Sequence, residues 1–494
     1  MGKMRKLTIG FILFLISINV LRAQEMAGLV HSNHAGTDVL FFNPAGMHHQ
    51  KDWLSIHLVS TDFFFSNNYA YLSKDEFKFG SFNIPMHPTG YSQGERPFYI
   101  YDKGIDTRFD MHLKMQGPSI MYINNEHAFG IFSAARAIFM FKNLSPDLGN
   151  LIYYGFDYDP QHNKEYKLDN FRGIMISWGE VGFSYAYQWN QRSFSNWNFG
   201  ISIRKLYGVG GSYLYVDNVD YNLLDSKTLQ LNALQASMAY SMPFDYNTND
   251  LLLDPIIKGK GWGFDIGIEY QELIKRQGKF MKEVSCGQKY NDYKYRWGIS
   301  ITDIGRIRFT SNAQLHEYID TQYTWERVDT ISYNGWNQLV QEVSQRFYND
   351  PNATLKSTSI DMWLPTSINA SFDYNFENNV YLNTSLVFSA PFIHGNYIQK
   401  PAVLSITPRY EKQHIGASLP ISLYEWRYPR VGLAFRIYFL TIGSDYFTSM
   451  LGFHDFNGTD FYFSMKFNIQ KGSCNKRRRI DPCGDAAHNF PWSN

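Results

Sequence analysis

Between residues 262 and 270 every second position is large and apolar, and the positions between are Gly263, Asp265, Gly267 and Glu269. The same period recurs at 295–302, 368–376 and 461–469, and more weakly at 197–203, 234–242, 380–388 and 415–423. A period of two sends alternate side chains to opposite faces of a β-strand. Runs of about 9 to 11 residues match a tilted strand crossing a bilayer. A soluble sandwich also alternates, so composition has to decide. Aromatic residues make up 17% of the 494, and charged residues 18%, against a usual share of ~25%. Yet mean hydropathy is -0.34, and no internal run of ~18 apolar residues could form a membrane helix. Such a chain fits a wall that shows lipid only every second residue, with aromatic girdles at both interfaces. The polar face carries Arg204, Asp265, Glu269, Arg296, Asp373 and Lys466. An Arg or Lys facing lipid at the midplane would cost about 2–4 kcal/mol, so these ions are assigned to the lumen. The fold class that follows is all-β: a transmembrane antiparallel β-barrel of about 14 strands, in the Gram-negative outer membrane.

Four regions differ in character. Residues 1–23 read as a cleaved signal peptide, with Lys3, Arg5 and Lys6 before an apolar stretch at 7–21 and Ala23-Gln24 at the cut. Residues 24–50 are small and polar and read as a segment separate from the strands. Residues 51–470 form the barrel, with long insertions near 87–110 and 311–361 that lack enough apolar residues for cores of their own; 338–347 could be a short amphipathic helix. Counting back from a periplasmic C-terminus puts 311–361 in the periplasm, although long loops of such barrels usually lie outside. Residues 471–494 form a basic tail with Lys476, Arg477, Arg478 and Arg479. There Cys474 and Cys483 could pair as a disulfide in an oxidising compartment.

Ser32-Asn33-His34-Ala35-Gly36 and Leu40-Phe41-Phe42-Asn43-Pro44-Ala45-Gly46 resemble the N-terminal signature of an uncharacterised family of outer-membrane barrels common in Bacteroidota. Their Asn-Pro-Ala core is also distantly similar to that of the long-chain fatty-acid transporter superfamily. Segments 261–267, 298–305, 364–366, 440–445 and 458–463 resemble the family's later strands, in the expected order. The resemblance implies an N-terminal plug folded into the lumen, with Asn33, Gly36, Asn43, Pro44 and Ala45 as its motif. It implies no activity, and no apolar groove for fatty acids carries over, because the lumen face reads as polar and charged.

By chemistry alone Asn43-Pro44 is a turn, since Asn bonds its own backbone and Pro pre-sets φ. His31, His34, His48, His49 and His57 cluster near Asp38 and Asp52, but the spacings match no standard metal site, and no metal is assigned. Asp265, Glu269, Arg296 and Asp373 read as lumen ions paired with one another or with the plug, ahead of a selectivity lining. Asp265 and Glu269 lie four apart on one strand, about 13 Å, too wide for a glycosidase pair. No nucleophile elbow, zinc-protease or phosphate-loop motif is present. The expectation is a non-enzymatic barrel without cofactors or nucleic-acid partners, embedded in outer-membrane lipid. Its first functional reading is a structural or assembly partner of other envelope or secretion proteins. The alternative is a plugged channel or transporter for small amphipathic or polar solutes. If the export reading is right, N-terminal sequencing of the membrane-bound protein finds a start near Gln24; a start at Met1 defeats it.

Overall fold

The computed structural model describes residues 26–469 apart from 77–86, 89–94, 97, 102–106, 193–194, 253, 275–281, 286–287, 291, 320–321, 329–333, 392–394 and 396. The signal segment 1–23, the basic tail 471–494 and the candidate cysteine pair Cys474 and Cys483 fall outside these residues.

The alternating stretches form fourteen antiparallel strands in one closed sheet. They are β1 (Leu54–Asn67), β2 (Thr107–Gln116 and Ser119–Asn124), β3 (His127–Leu144), β4 (Glu165–Arg192) and β5 (Ser195–Leu223). Next come β6 (Leu229–Ser241 and Gly259–Leu273), β7 (Tyr293–Phe309, Ala313–Tyr318 and Tyr323–Trp325) and β8 (Leu355–Ser357, Ile360–Trp363 and Ser367–Asn375). The barrel is completed by β9 (Val380–Ser389), β10 (Val403–Glu411), β11 (Ile415–Ser418 and Ile421–Tyr424), β12 (Tyr428–Val431 and Leu433–Ile437), β13 (Leu440–Ser444) and β14 (Gly458–Ile469). Each strand pairs with its neighbours in sequence. β1 closes the ring on β14, from Leu54 opposite Ile469 to Ser66 opposite Gly458.

The wall sorts side chains as the period requires. Asp265 is 3% exposed, while Trp262 is 53% and Phe264 41% exposed on the same strand. Outward rings form a girdle near the tight-turn end, where Trp197 lies 5.1 Å from Tyr270 and 5.4 Å from Trp297. Eight residues further along β5 and β6, Lys205 sits over the Trp262 ring and marks the opposite interface. Between the two levels the outward residues of β5 and β6 are Phe199, Ile201, Ile203, Phe264, Ile266 and Ile268. This apolar band with aromatic edges makes the protein a membrane-spanning barrel of the outer-membrane type.

Strands β3 to β7 continue well beyond that upper level, and this is where the long insertions belong. The region 311–361 is not a coreless loop. It supplies parts of β7 and β8 and the helix α1 (Trp336–Tyr348), whose Val343, Phe347 and Tyr348 pack on Leu168, Val216, Ala236 and Tyr318. Its apolar residues are too sparse for a core alone but suffice against the extended sheet. Of 87–110, residues 107–110 already belong to β2. The region 311–361 also lies at the end opposite the C-terminus of β14, with most of the long connections though not the one between Leu273 and Tyr293, rather than on the periplasmic side given by counting strands. Strands are hard to count in this part of the sequence, because β11, β12 and β13 are broken into pieces of four or five residues around Pro420 and Gly432. By the usual disposition of long loops, this end faces outside.

Register is a strong constraint here, since a slip by one residue would turn every lumen ion toward lipid. A lipophilic photolabel should therefore reach Cys introduced at Phe264 or Phe372 and spare Cys introduced at Asp265; the opposite pattern reverses the register.

Candidate functional site

Residues 26–50 lie inside the barrel, and every one of them is buried. They form three short helical turns, Ala27–Val30, Gly36–Phe41 and Pro44–His49. The last begins where chemistry predicts: the Asn43 side chain accepts a hydrogen bond from the Ala45 amide at 2.9 Å, and Pro44 opens the turn.

The Asn43-Pro44-Ala45 turn rests on bare backbone. A Cβ at Gly200 would come 2.2 Å from the Ala45 nitrogen, and one at Gly267 2.0 Å from the Asn43 Oδ1. A Cβ at Gly298 would lie 2.8 Å from Asn43 Nδ2. Gly200 and Gly267 are directly paired across β5 and β6, and Gly298 stands on β7. Three adjacent strands thus leave a side-chain-free seat of the turn's shape. Around it Ser300 Oγ and Asn369 Nδ2 donate to the Phe42 carbonyl, and Asn43 Nδ2 donates to the Ile268 carbonyl at 3.3 Å. The seat was not foreseen, although inward glycines in a period-two strand are a legible signal for close approach.

Two ionic tiers surround the plug. In the lower one Arg296 and Arg409 both bond Asp373, at 3.0 and 2.8 Å, and Arg409 also bonds Glu411 at 3.2 Å. The plug enters this tier directly. Asn33 donates to Glu411 from its backbone and side chain, and Arg296 donates to the Asn33 Oδ1 and the His31 carbonyl. His49 Nδ1 meets Glu269 at 2.8 Å. On the opposite wall Lys466 bonds Asp38 at 3.0 Å and the Ala35 carbonyl at 2.6 Å. Gly36 turns with φ +60, and a Cβ there would strike Ser55 Oγ.

The upper tier holds Arg204 and Asp265 together with four residues that alternation alone did not single out. Arg204 bonds Asp265, Glu180 and Asp303; Arg136 and Lys400 also bond Asp303, at 2.6 and 3.2 Å. Three cations so face three carboxylates. Asp303 occupies a β-bulge in the left-handed region, φ 62, which lets its carboxylate swing onto the cations while its amide donates to Asp265. Of the expected lumen ions, Asp265 and Arg204 therefore belong to one cluster, and Glu269, Arg296 and Asp373 to the other.

The lumen is not polar throughout. Above the ions, the inward faces of β3 to β8 form an apolar layer that includes Ile138, Ile176, Trp178, Leu206, Phe309 and Met362, all buried. This corrects the reading of the lumen face as polar and charged. The inward face beyond the plug on the opposite side carries Asp62, His112, Ser405, Ser422 and Arg430. The cavity left beside the plug, between Phe41, Asp62, His112 and Lys114, measures about 40 Å³, room for about one water molecule. A larger cavity of about 720 Å³ lies on the outer wall above the membrane band, between Phe139, Met175, Leu214, Tyr240, Phe244 and Trp336.

The clustered histidines do not converge on one point. His34 bonds Asp52, His48 the Ala186 carbonyl, His49 Glu269 and His57 Thr37, while His31 packs edge-on against Phe42. On the plug, burial holds His31, His48 and His49 below the usual imidazole range, His48 at about 4. The arginines beside His31 and His49 act in the same direction.

No curated protein matches this chain. Among solved structures, a deltaS2S3 mutant of the TodX monoaromatic hydrocarbon channel is similar at 10% identity, covering 91% of this chain and 99% of that one, with a TM-score of 0.42. A FadL homologue of Pseudomonas aeruginosa is similar at 11% identity, 91% and 100% coverage and a TM-score of 0.40. The Pseudomonas putida toluene transporter TodX follows at 7% identity, 91% and 97% coverage and a TM-score of 0.31. A family of unknown function (DUF5723) matches residues 44–445, and the chain belongs to that family.

Proposed function

We propose that this protein is a plugged channel or transporter for small amphipathic or polar solutes, closed by residues 26–50 and opened when that segment moves. One observation carries the reading: the plug is bound to the wall through side chains. Its backbone-to-backbone hydrogen bonds run within itself or to Lys51 among the described residues, and no ladder bond joins it to a strand. Asn33, Asn43, His49, Ser300, Asn369 and Lys466 make the connection instead. Bonds of this kind exchange for water at a net cost of about 1 kcal/mol each, up to about 3 where a charge takes part. A strand inserted in the sheet could not leave so easily.

The cross-section beyond the plug supports the solute class. One half of the inner wall is the apolar layer of β3 to β8; the other half carries Asp62, His112, Ser405, Ser422 and Arg430. A molecule with an apolar and a polar side could satisfy both. This supports the transport reading over the assembly-partner reading, for which the described residues supply no comparable feature. The proposed role is non-enzymatic.

Deleting residues 31–46 should leave a barrel that still shifts on heating in detergent gels, because the strands close without it. That variant should conduct ions in a planar bilayer far better than the parent. Gly200→Ala and Gly267→Ala, which push on the seat alone, should raise conductance in the same direction. Equal conductance from the parent and all three folded variants would remove the plug as a gate.

The plug histidines predict a pH effect of definite sign. His31, His48 and His49 are held toward the neutral form in the seated plug, yet in water each would titrate near its ordinary value of about 6.5. Release therefore takes up protons, and the stability of seating falls as pH drops through about 6.5 toward the lowered values. Conductance of the intact protein should rise between about pH 7 and pH 5, while that of the 31–46 deletion stays flat. A flat profile in both excludes histidine titration from gating.

A further inference from the structure

Two adjacent rows of the outer wall carry an unusual charge pattern. Across β5 to β8 one row reads Lys205, Trp262, Arg306, Trp363, and the next reads Tyr207, Lys260, Arg308, Asp361. All eight share the outward face with Phe264 and Ile266. Lys260 stands directly opposite Arg308, both exposed, at a spacing where like charges repel. Among the described residues the carboxylate in salt-bridge reach of these four cations is Asp361, 3.8 Å from Arg306. Four positive charges thus share one negative one.

The rows sit at one level, the upper edge of the apolar band. Directly below them on the same strands come Ile203, Phe264 and Ile304. The two tryptophans hold the cations against the wall: Lys205 Nζ lies 4.4 Å from the Trp262 ring centre, and the Arg306 guanidinium 5.9 Å from that of Trp363. A soluble surface could dilute such a cluster with water and salt. Here the chains beneath it lie in hydrocarbon, so an anion that fits must bring its own apolar part below the charges. The barrel end concerned is the one with the long loops, which faces outside.

We infer that Lys205, Lys260, Arg306 and Arg308 form a headgroup site for a phosphorylated lipid of the outer leaflet. Its phosphates lie among the four cations, and its acyl chains run down the wall over Ile203, Phe264 and Ile304. Arg306 and Arg308 supply forked donors suited to phosphate oxygens, and the lysines supply point charges. The site faces away from the lumen and does not depend on the plug.

The test uses the full chain in nanodiscs, with lipid A as probe and its dephosphorylated form as control. Binding should be about tenfold or more tighter for the phosphorylated lipid and should weaken with salt. The quadruple variant K205Q/K260Q/R306Q/R308Q should lose that preference while keeping the heat-modifiable band of a folded barrel. K260R/R308K should retain it, as should K294Q/K412Q, which removes exposed cations near the tight-turn end. Equal affinity for the two lipids overturns the proposal, as does a folded quadruple variant that still discriminates. Full displacement of the lipid by millimolar inorganic phosphate also overturns it, by assigning the cluster to a soluble anion.

Discussion

A peptide group left unpaired in hydrocarbon costs several kcal/mol, so a sheet that crosses a membrane has to lose both its edges. Here the edges are the strand at 54–67 and the strand at 458–469, nearly 400 positions apart in sequence, and their pairing along twelve residue pairs closes the ring. Everything inside follows from that closure. Fourteen strands enclose more space than their own inward side chains can fill. The volume must hold water, protein or both, and in this chain the first 25 described residues take up the lower half. Their placement is not decoration on the barrel. It decides which wall residues can be charged, because a buried ion needs a partner within reach.

The two ionic tiers show how that requirement is met differently at two levels. In the upper tier the wall satisfies itself: Arg136, Arg204 and Lys400 face Glu180, Asp265 and Asp303 without help from the plug. In the lower tier the plug is a member, through Asn33 and the His31 carbonyl on Arg296 and through His49 on Glu269. Removing one partner of a buried pair typically costs about 3–5 kcal/mol. The upper tier therefore belongs to the stability of the barrel, whereas the lower tier couples the plug to it. The lowered His31 and His49 fit that division, since burial disfavours their charged forms and the nearby Arg296 acts in the same direction.

Alternation made the barrel legible, along with the inward set Asp265, Glu269, Arg296 and Asp373, because a period of two survives wherever a strand is long and one face meets lipid. It failed for Arg136, Glu180, Asp303 and Lys400. Asp303 sits in a bulge that breaks the period, and Lys400 lies between strands. Arg136 follows two alanines that blur the contrast, and Glu180 shares its strand face with Trp178 and Gly182, which do not mark that face as polar. The apolar layer of β3 to β8 was hidden for a related reason. Stretches such as 137–141 are apolar on both faces, and a continuous run gives no sign of which face turns inward. The glycine seat could have been read, but only by asking why Gly200, Gly267 and Gly298 occupy inward positions rather than by treating them as fillers.

Under the proposed transport role, the seat and the layer above it would impose different demands on a passing solute. A displaced plug would expose Gly200, Gly267 and Gly298 with the lower tier, a surface of amides and ions that water can cover at once. The apolar layer belongs to the wall, so it stays where it is when the plug leaves. Water gains little by entering there, since Ile138, Ile176, Leu206 and Met362 offer it no bond. On that reading a route for polar matter would follow the other half of the circumference, past Asp62, His112, Ser422 and Arg430, where His112 Nε2 is buried without a hydrogen-bond partner among the described residues. An apolar side of a solute would meanwhile lose nothing by sliding along the layer. The closed lumen is in this sense asymmetric before any motion occurs, and that asymmetry, rather than the width of the pore, would set what the open state admits.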